Sequence, residues 1–128
     1  MKSNISIFLA EDDEDDALFF EDAIFELLVD ANLVVLTDGV ELMKQLETTE
    51  ELPDIIFLDL NMPRKNGIEC LKEIKRNSTL KTIKTVILST TTDDTEIKKC
   101  YSLGADLFIS KVSNHNEFKL VLKNCLAG

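Results

Sequence analysis

"ISIFLAEDDEDD", residues 5–16, runs a mostly apolar segment straight into six consecutive acids. The apolar part lacks the regular polar alternation of a half-exposed strand, so it reads as a strand buried on both faces. The acids repel one another, and no Lys or Arg lies nearer than Lys2 on one side and Lys44 on the other. Charge of this density at the end of a buried strand calls for a counter-charge brought by the fold or by a bound ion.

Four more short runs rich in Ile, Val, Leu and Phe follow, at 33–36, 54–58, 85–89 and 107–110. Helical patterns separate and follow them at 15–29, 39–47, 68–77, 93–103 and 114–126. In the last, Phe118, Val121, Leu122 and Cys125 recur at i, i+3, i+4 and i+7, which turns one face to a core. In the third, Ile68, Leu71 and Ile74 share a face, while Lys72, Glu73, Lys75 and Arg76 lie elsewhere. Thr37-Asp38-Gly39 punctuates a helix start and Leu103-Gly104 a helix stop. There is no Ser/Gly-rich linker, repeat or low-complexity tract, so residues 1–128 are expected to form one domain. Five alternating βα units predict an α/β fold with a parallel sheet covered on both faces. The economical arrangement is the flavodoxin-like doubly wound sheet, strand order 2-1-3-4-5, with five helices. Ligands of such sheets gather beyond the carboxyl ends of the strands, at the switch point between the first and third. That point brings Glu11-Asp12 beside Asp59, acids 47 residues apart in the chain.

Composition narrows the function. Of 128 residues, 14 are basic and 24 acidic, a net charge of -10 that disfavours direct contact with nucleic acid or anionic membranes. A cationic partner or metal ion suits it better. Cys70, Cys100 and Cys125 show no CxxC spacing and are expected as buried thiols in a reducing cytoplasm. The N-terminus lacks signal-peptide character, and no apolar run approaches the length of a membrane span.

Three carboxylates at one point cannot all stay ionised without compensation. Mg²⁺, which takes a few protein oxygens and keeps waters, is the expected ion for Glu11, Asp12 and Asp59. Asp13, Glu14, Asp15 and Asp16 have a simpler role at the start of the first helix, where negative charge and capping oxygens are favourable. The fourth run ends in Ser89, and the fifth leads to Lys111. Taken singly, Ser89 opens a loop and Lys111 sits on a surface. Together with the acids they form a constellation that packing does not require.

That ordered set resembles the receiver domain of two-component response regulators over essentially the whole chain. The matching residues are Glu11-Asp12, "LDLNMPRKNG" at 58–67, Ser89-Thr90 and Lys111, with spacings of 30 from Asp59 to Ser89 and 22 from Ser89 to Lys111. The resemblance implies that Asp59 accepts a phosphoryl group from a sensor histidine kinase or histidine phosphotransfer protein. It implies Mg²⁺ on Glu11, Asp12, Asp59 and the backbone carbonyl of Asn61. Ser89 would engage the phosphoryl group and Lys111 pair with it, while Pro63 and Gly67 shape the loop after the acceptor. Phe108 takes the place of the switch aromatic, and Asn61 and Thr91 stand where the family tunes the lifetime of the acyl phosphate. The protein would then be a signalling phosphoprotein rather than an enzyme with a separate substrate. With only Ala127-Gly128 after the last helical pattern, output is expected through protein contacts, at the face of the fourth helix, fifth strand and fifth helix.

Two departures stand out. Val112 follows Lys111 where the family usually has Pro, and a cis bond before Val costs about 2.5–4 kcal/mol, which favours trans or a shifted loop. Glu11 replaces the commoner Asp. The rival readings fit less well. A phosphatase of the haloacid-dehalogenase class needs an acid two residues after its nucleophile, where this chain has Asn61. A Ca²⁺ loop in "DDEDDALFFEDA" lacks its turn glycine. A phosphorylation-independent interaction module would have no use for the intact set of acids, hydroxyl and lysine.

Overall fold

The computed structural model describes residues 4–27, 30–111 and 114–127. Five strands alternate with five helices: β1 (Ser6–Ala10), α1 (Glu14–Leu27), β2 (Asn32–Leu36), α2 (Gly39–Thr48), β3 (Ile55–Asp59), α3 (Gly67–Arg76), β4 (Lys84–Ser89), α4 (Asp94–Ser102), β5 (Leu107–Ser110) and α5 (His115–Ala127). All four pairings are parallel, and the order is β2-β1-β3-β4-β5, as the pattern predicts. The expected helix 15–29 starts one residue earlier, at Glu14; its last two positions lie outside the described residues.

Alternate residues of each strand feed two cores. Phe8, Ile56, Leu58 and Ile87 face Leu42, Leu71, Ile74 and Cys100 from α2, α3 and α4. Ile7, Leu9, Phe57, Val86 and Leu88 face Phe20, Ile24, Phe118 and Leu122 from α1 and α5. Continuous apolar runs arise because β1, β3 and β4 must satisfy both cores at once. The edge strand β2 is less enclosed, with Asn32 and Val35 exposed. Its lone sheet neighbour, β1, is the reason.

The helix signals act as read. Asp38 caps α2 through its side chain and the Glu41 N–H (2.8 Å). Asn66 and Glu69 form a reciprocal capping box at α3, which satisfies two free donors. Gly104 ends α4 at φ +106°, a conformation that favours glycine. Cys70, Cys100 and Cys125 are free and buried, as expected.

Candidate functional site

The carboxyl ends of the strands assemble the site by simple phase. Glu11 continues the β1 ladder by donating its N–H to Leu36 O (2.9 Å), and Lys111 continues β5 by donating to Ser89 O (2.8 Å). Glu11, Asp59 and Lys111 therefore keep step with Leu9, Phe57 and Ile109, which all face the α1/α5 core. Three charged side chains end on one side of the sheet. Ser89 keeps step with Ile87, on the other side.

Lys111 ties these acids together. Its Nζ lies 2.7 Å from Glu11 Oε1, 2.9 Å from Asp16 Oδ2 and 3.3 Å from Asp59 Oδ1. Glu11 and Asp59 are buried, at 2% and 5% exposure. Burial pushes Glu11 up to about 7 against the hydrogen bond from Lys111, and the Asp59 charge adds to the rise. Burial likewise raises Asp59, opposed by the charge of Lys111 and by hydrogen bonds from Glu11, Lys111 and the Asn61 N–H. For Lys111, burial alone would favour the neutral amine. The hydrogen bonds to Glu11 and Asp16 and the charges of Glu11 and Asp59 outweigh it, holding the ammonium above its ordinary range.

Asp12 is exposed beside this pair, and one carboxylate oxygen from each of Glu11, Asp12 and Asp59 lies within 4.8 Å of the others. A single ammonium does not neutralise three carboxylates. The donor set is all hard oxygen and includes two desolvated groups held above their usual range, a set that fits a hard divalent cation.

The loop after Asp59 is fixed by contact. Gly67 donates its N–H to Leu60 O (3.0 Å), and a Cβ at this position would stand 2.4 Å from Asp59 O. Only glycine lets α3 start this close to the end of β3. Asn61 is exposed. Arg64 takes φ +66°, and its guanidinium lies 3.4 Å from the buried Asp38 carboxylate.

Ser89 is 1% exposed, and its Oγ accepts from the Thr91 N–H (3.1 Å). Thr91 Oγ1 in turn donates to Glu96 Oε2 (3.1 Å) and accepts from the Asp93 N–H (3.2 Å). Phe108 is half-buried against the α2/α3/α4 core, and its N–H donates to the Tyr101 hydroxyl (2.9 Å).

One feature differs from the sequence reading. Asp16 does stand in the first turn of α1, and its N–H bonds the Asp13 carboxylate (3.0 Å), but its own carboxylate belongs to the Lys111 cluster. His115 opens α5 and is half-buried, with Nε2 2.7 Å from Glu26 and its ring edge-on to Phe19. It joins α5 to α1. The Lys111–Val112 bond lies outside the described residues.

The family model for the response regulator receiver domain matches residues 7–123. The chain belongs to that family. Response regulator Rcp1 of Synechocystis sp. is 34% identical over 121 residues, which are 90% of this receiver and 82% of Rcp1. The structure of the phosphorylated cyanobacterial phytochrome response regulator RcpA is 35% identical with a TM-score of 0.88, covering 95% of this receiver and 91% of RcpA. The Mn²⁺-bound form of Rcp1 has a TM-score of 0.85 at 29% identity, covering 96% and 92%. Receiver domains of this family are signalling proteins, and the flavodoxin-like sheet is their shared fold.

Proposed function

We propose that this receiver accepts a phosphoryl group on the Asp59 carboxylate, from a phosphohistidine of a sensor kinase or phosphotransfer protein, in a Mg²⁺-dependent reaction. The observation that carries this reading is the buried Asp59 at the end of β3, flanked by Glu11 and Asp12 and bonded to Lys111. Glu11, Asp12, Asp59 and the Asn61 carbonyl are the proposed metal ligands. When bound, Mg²⁺ supplies charge that neutralises these carboxylates and the phosphoryl oxygens. The related RcpA has been solved phosphorylated and Rcp1 with Mn²⁺ bound, which supports both parts of the reading.

A carboxylate is a weak nucleophile, so placement and charge must do most of the activation. An Asp59 oxygen forms the new O–P bond as the P–N bond to the donor imidazole breaks, and the ring keeps that electron pair and takes up a proton. Lys111 donates to the phosphoryl oxygens from a position already 3.3 Å from Asp59. The Ser89 oxygen accepts from Thr91, which leaves its hydroxyl proton free to donate to the phosphoryl group. That pull on Ser89 reorders the Thr91–Glu96 link at the start of α4 and gives Phe108 room to bury further. Asn61 and Thr91 flank the approach of hydrolytic water and set how long the acyl phosphate lasts. Output passes through protein contacts at α4, β5 and α5, and the three buried thiols suit a cytoplasmic setting. Acetyl phosphate with Mg²⁺ tests the reading by intact mass. One phosphoryl group should appear on the wild type and none on Asp59→Asn; equal labelling of both removes Asp59 as acceptor.

A further inference from the structure

Among the described residues Lys111 has three carboxylate partners, and the function proposed above uses only two of them. Glu11 and Asp59 are shared with the proposed metal. Asp16 is not. It is half-exposed on the first turn of α1, and its N–H is fixed by the Asp13 carboxylate, so its place does not depend on the metal. A divalent cation on Glu11 and Asp59 would draw off the negative charge that holds the Lys111 ammonium and would repel it. Asp16, 2.9 Å from Nζ, is the partner that such a cation would not take. A cavity of about 270 Å³ lies beside this pair, walled by Phe19, Phe20, Leu88 and Phe118, and gives the lysine side chain room to shift.

We propose that Asp16 is a positioning residue, the resting partner that holds the Lys111 ammonium at the rim while a metal occupies the site. It keeps the lysine from competing with the cation for Glu11 and Asp59, yet leaves it one side-chain movement from a phosphoryl group on Asp59. This rests on the metal and acceptor reading given above. Removing Asp16 should leave Lys111, among the described residues, with no anionic partner except the proposed metal ligands, so it falls back on them and weakens metal binding. The loss acts through Lys111 and should vanish when Lys111 is gone.

Mg²⁺ titrations followed by amide chemical shifts test this on wild type, Asp16→Asn, Lys111→Met and the double variant. Lys111→Gln serves in place of Lys111→Met if the latter gives a poorly dispersed spectrum. Asp16→Asn should bind Mg²⁺ about two- to five-fold more weakly, the range that coupling within a partly exposed ion pair produces. Asp16→Glu should restore most of the affinity. In the Lys111→Met background the Asp16 substitution should change nothing. A helix-start role alone would lower stability in both backgrounds and leave the affinity of each untouched, and that result overturns the proposal. An equal loss of affinity with and without Lys111 also overturns it, because Asp16 would then act directly as a nearby charge. Absence of a Mg²⁺ response in all four proteins would instead remove the metal reading on which the proposal stands.

Discussion

Replacing Glu11 by Gln should stabilise the metal-free protein at pH 8 and leave it nearly unchanged at pH 5. Glu11 is 2% exposed, and burial lifts its carboxyl from 4.5 to about 7 despite the Lys111 hydrogen bond. A carboxyl whose folded value lies above its unfolded value favours the native state while protonated. That contribution is complete below about pH 4.5 and is lost as pH rises through about 7. The gap corresponds to at most about 3 kcal/mol at pH 8, and to less than about 1 kcal/mol at pH 5. Glutamine resembles the protonated acid, with a carbonyl to accept from Lys111 and an N–H to offer Asp59. It has one acceptor oxygen where Glu11 uses two, for Lys111 and for the Asp13 N–H at 3.3 Å, which costs about 1 kcal/mol. The expected net gain at pH 8 is therefore about 1–2 kcal/mol, read as a shift in urea midpoint with EDTA present. Saturating Mg²⁺ should reverse the ranking, because the wild type alone keeps all the proposed metal ligands. If Glu11→Gln is less stable than wild type by the same amount at both pH values, Glu11 works as the ionised partner of Lys111 and its burial is not the dominant effect.

Mg²⁺ at about ten times its dissociation constant should stabilise the wild type by about 1.4 kcal/mol, by preferential binding to the native state. A melting series should show that response lost in Asp12→Ala and kept in Asp15→Ala, whose carboxylate is outside the Glu11–Asp12–Asp59 cluster. Gly67→Ala puts a Cβ within 2.4 Å of Asp59 O, so urea unfolding should show a loss of about 1–3 kcal/mol, with the amide shifts of residues 59–67 displaced. Lys75→Met removes an ammonium that bonds Lys81 O, Ile83 O and Asp106 Oδ2 at 3.0–3.2 Å, and should cost about 2 kcal/mol in the same assay.

The strands are legible in the sequence because central parallel strands must be apolar on both faces, and the site is legible because such sheets place function at strand ends. Glu11, Asp59, Ser89 and Lys111 each sit at the end of an apolar run, so finding the strands locates them. Asp16 is harder to read. Its spacing suits a helix start, which it does occupy, and its link to Lys111 spans 95 residues between elements that meet only in the fold. The same holds for His115 and Glu26, which join α5 to α1, and for the Tyr101 hydroxyl on the β5 backbone. No local pattern announces a contact between the outer ends of two elements. The less enclosed edge strand β2 is still legible as a strand, since Leu33 and Val34 pack on the cores.

The acceptor is tested most directly by locating the phosphoryl group. An aspartyl phosphate is reduced by borohydride to homoserine, which leaves a permanent mark on the residue that carried it. After treatment with acetyl phosphate and Mg²⁺, then borohydride, peptide mapping should find homoserine at position 59 and at no other acid. The mark should disappear when EDTA replaces Mg²⁺. Reduction at Asp12 or another acid, with Asp59 intact, would contradict the assignment of the site.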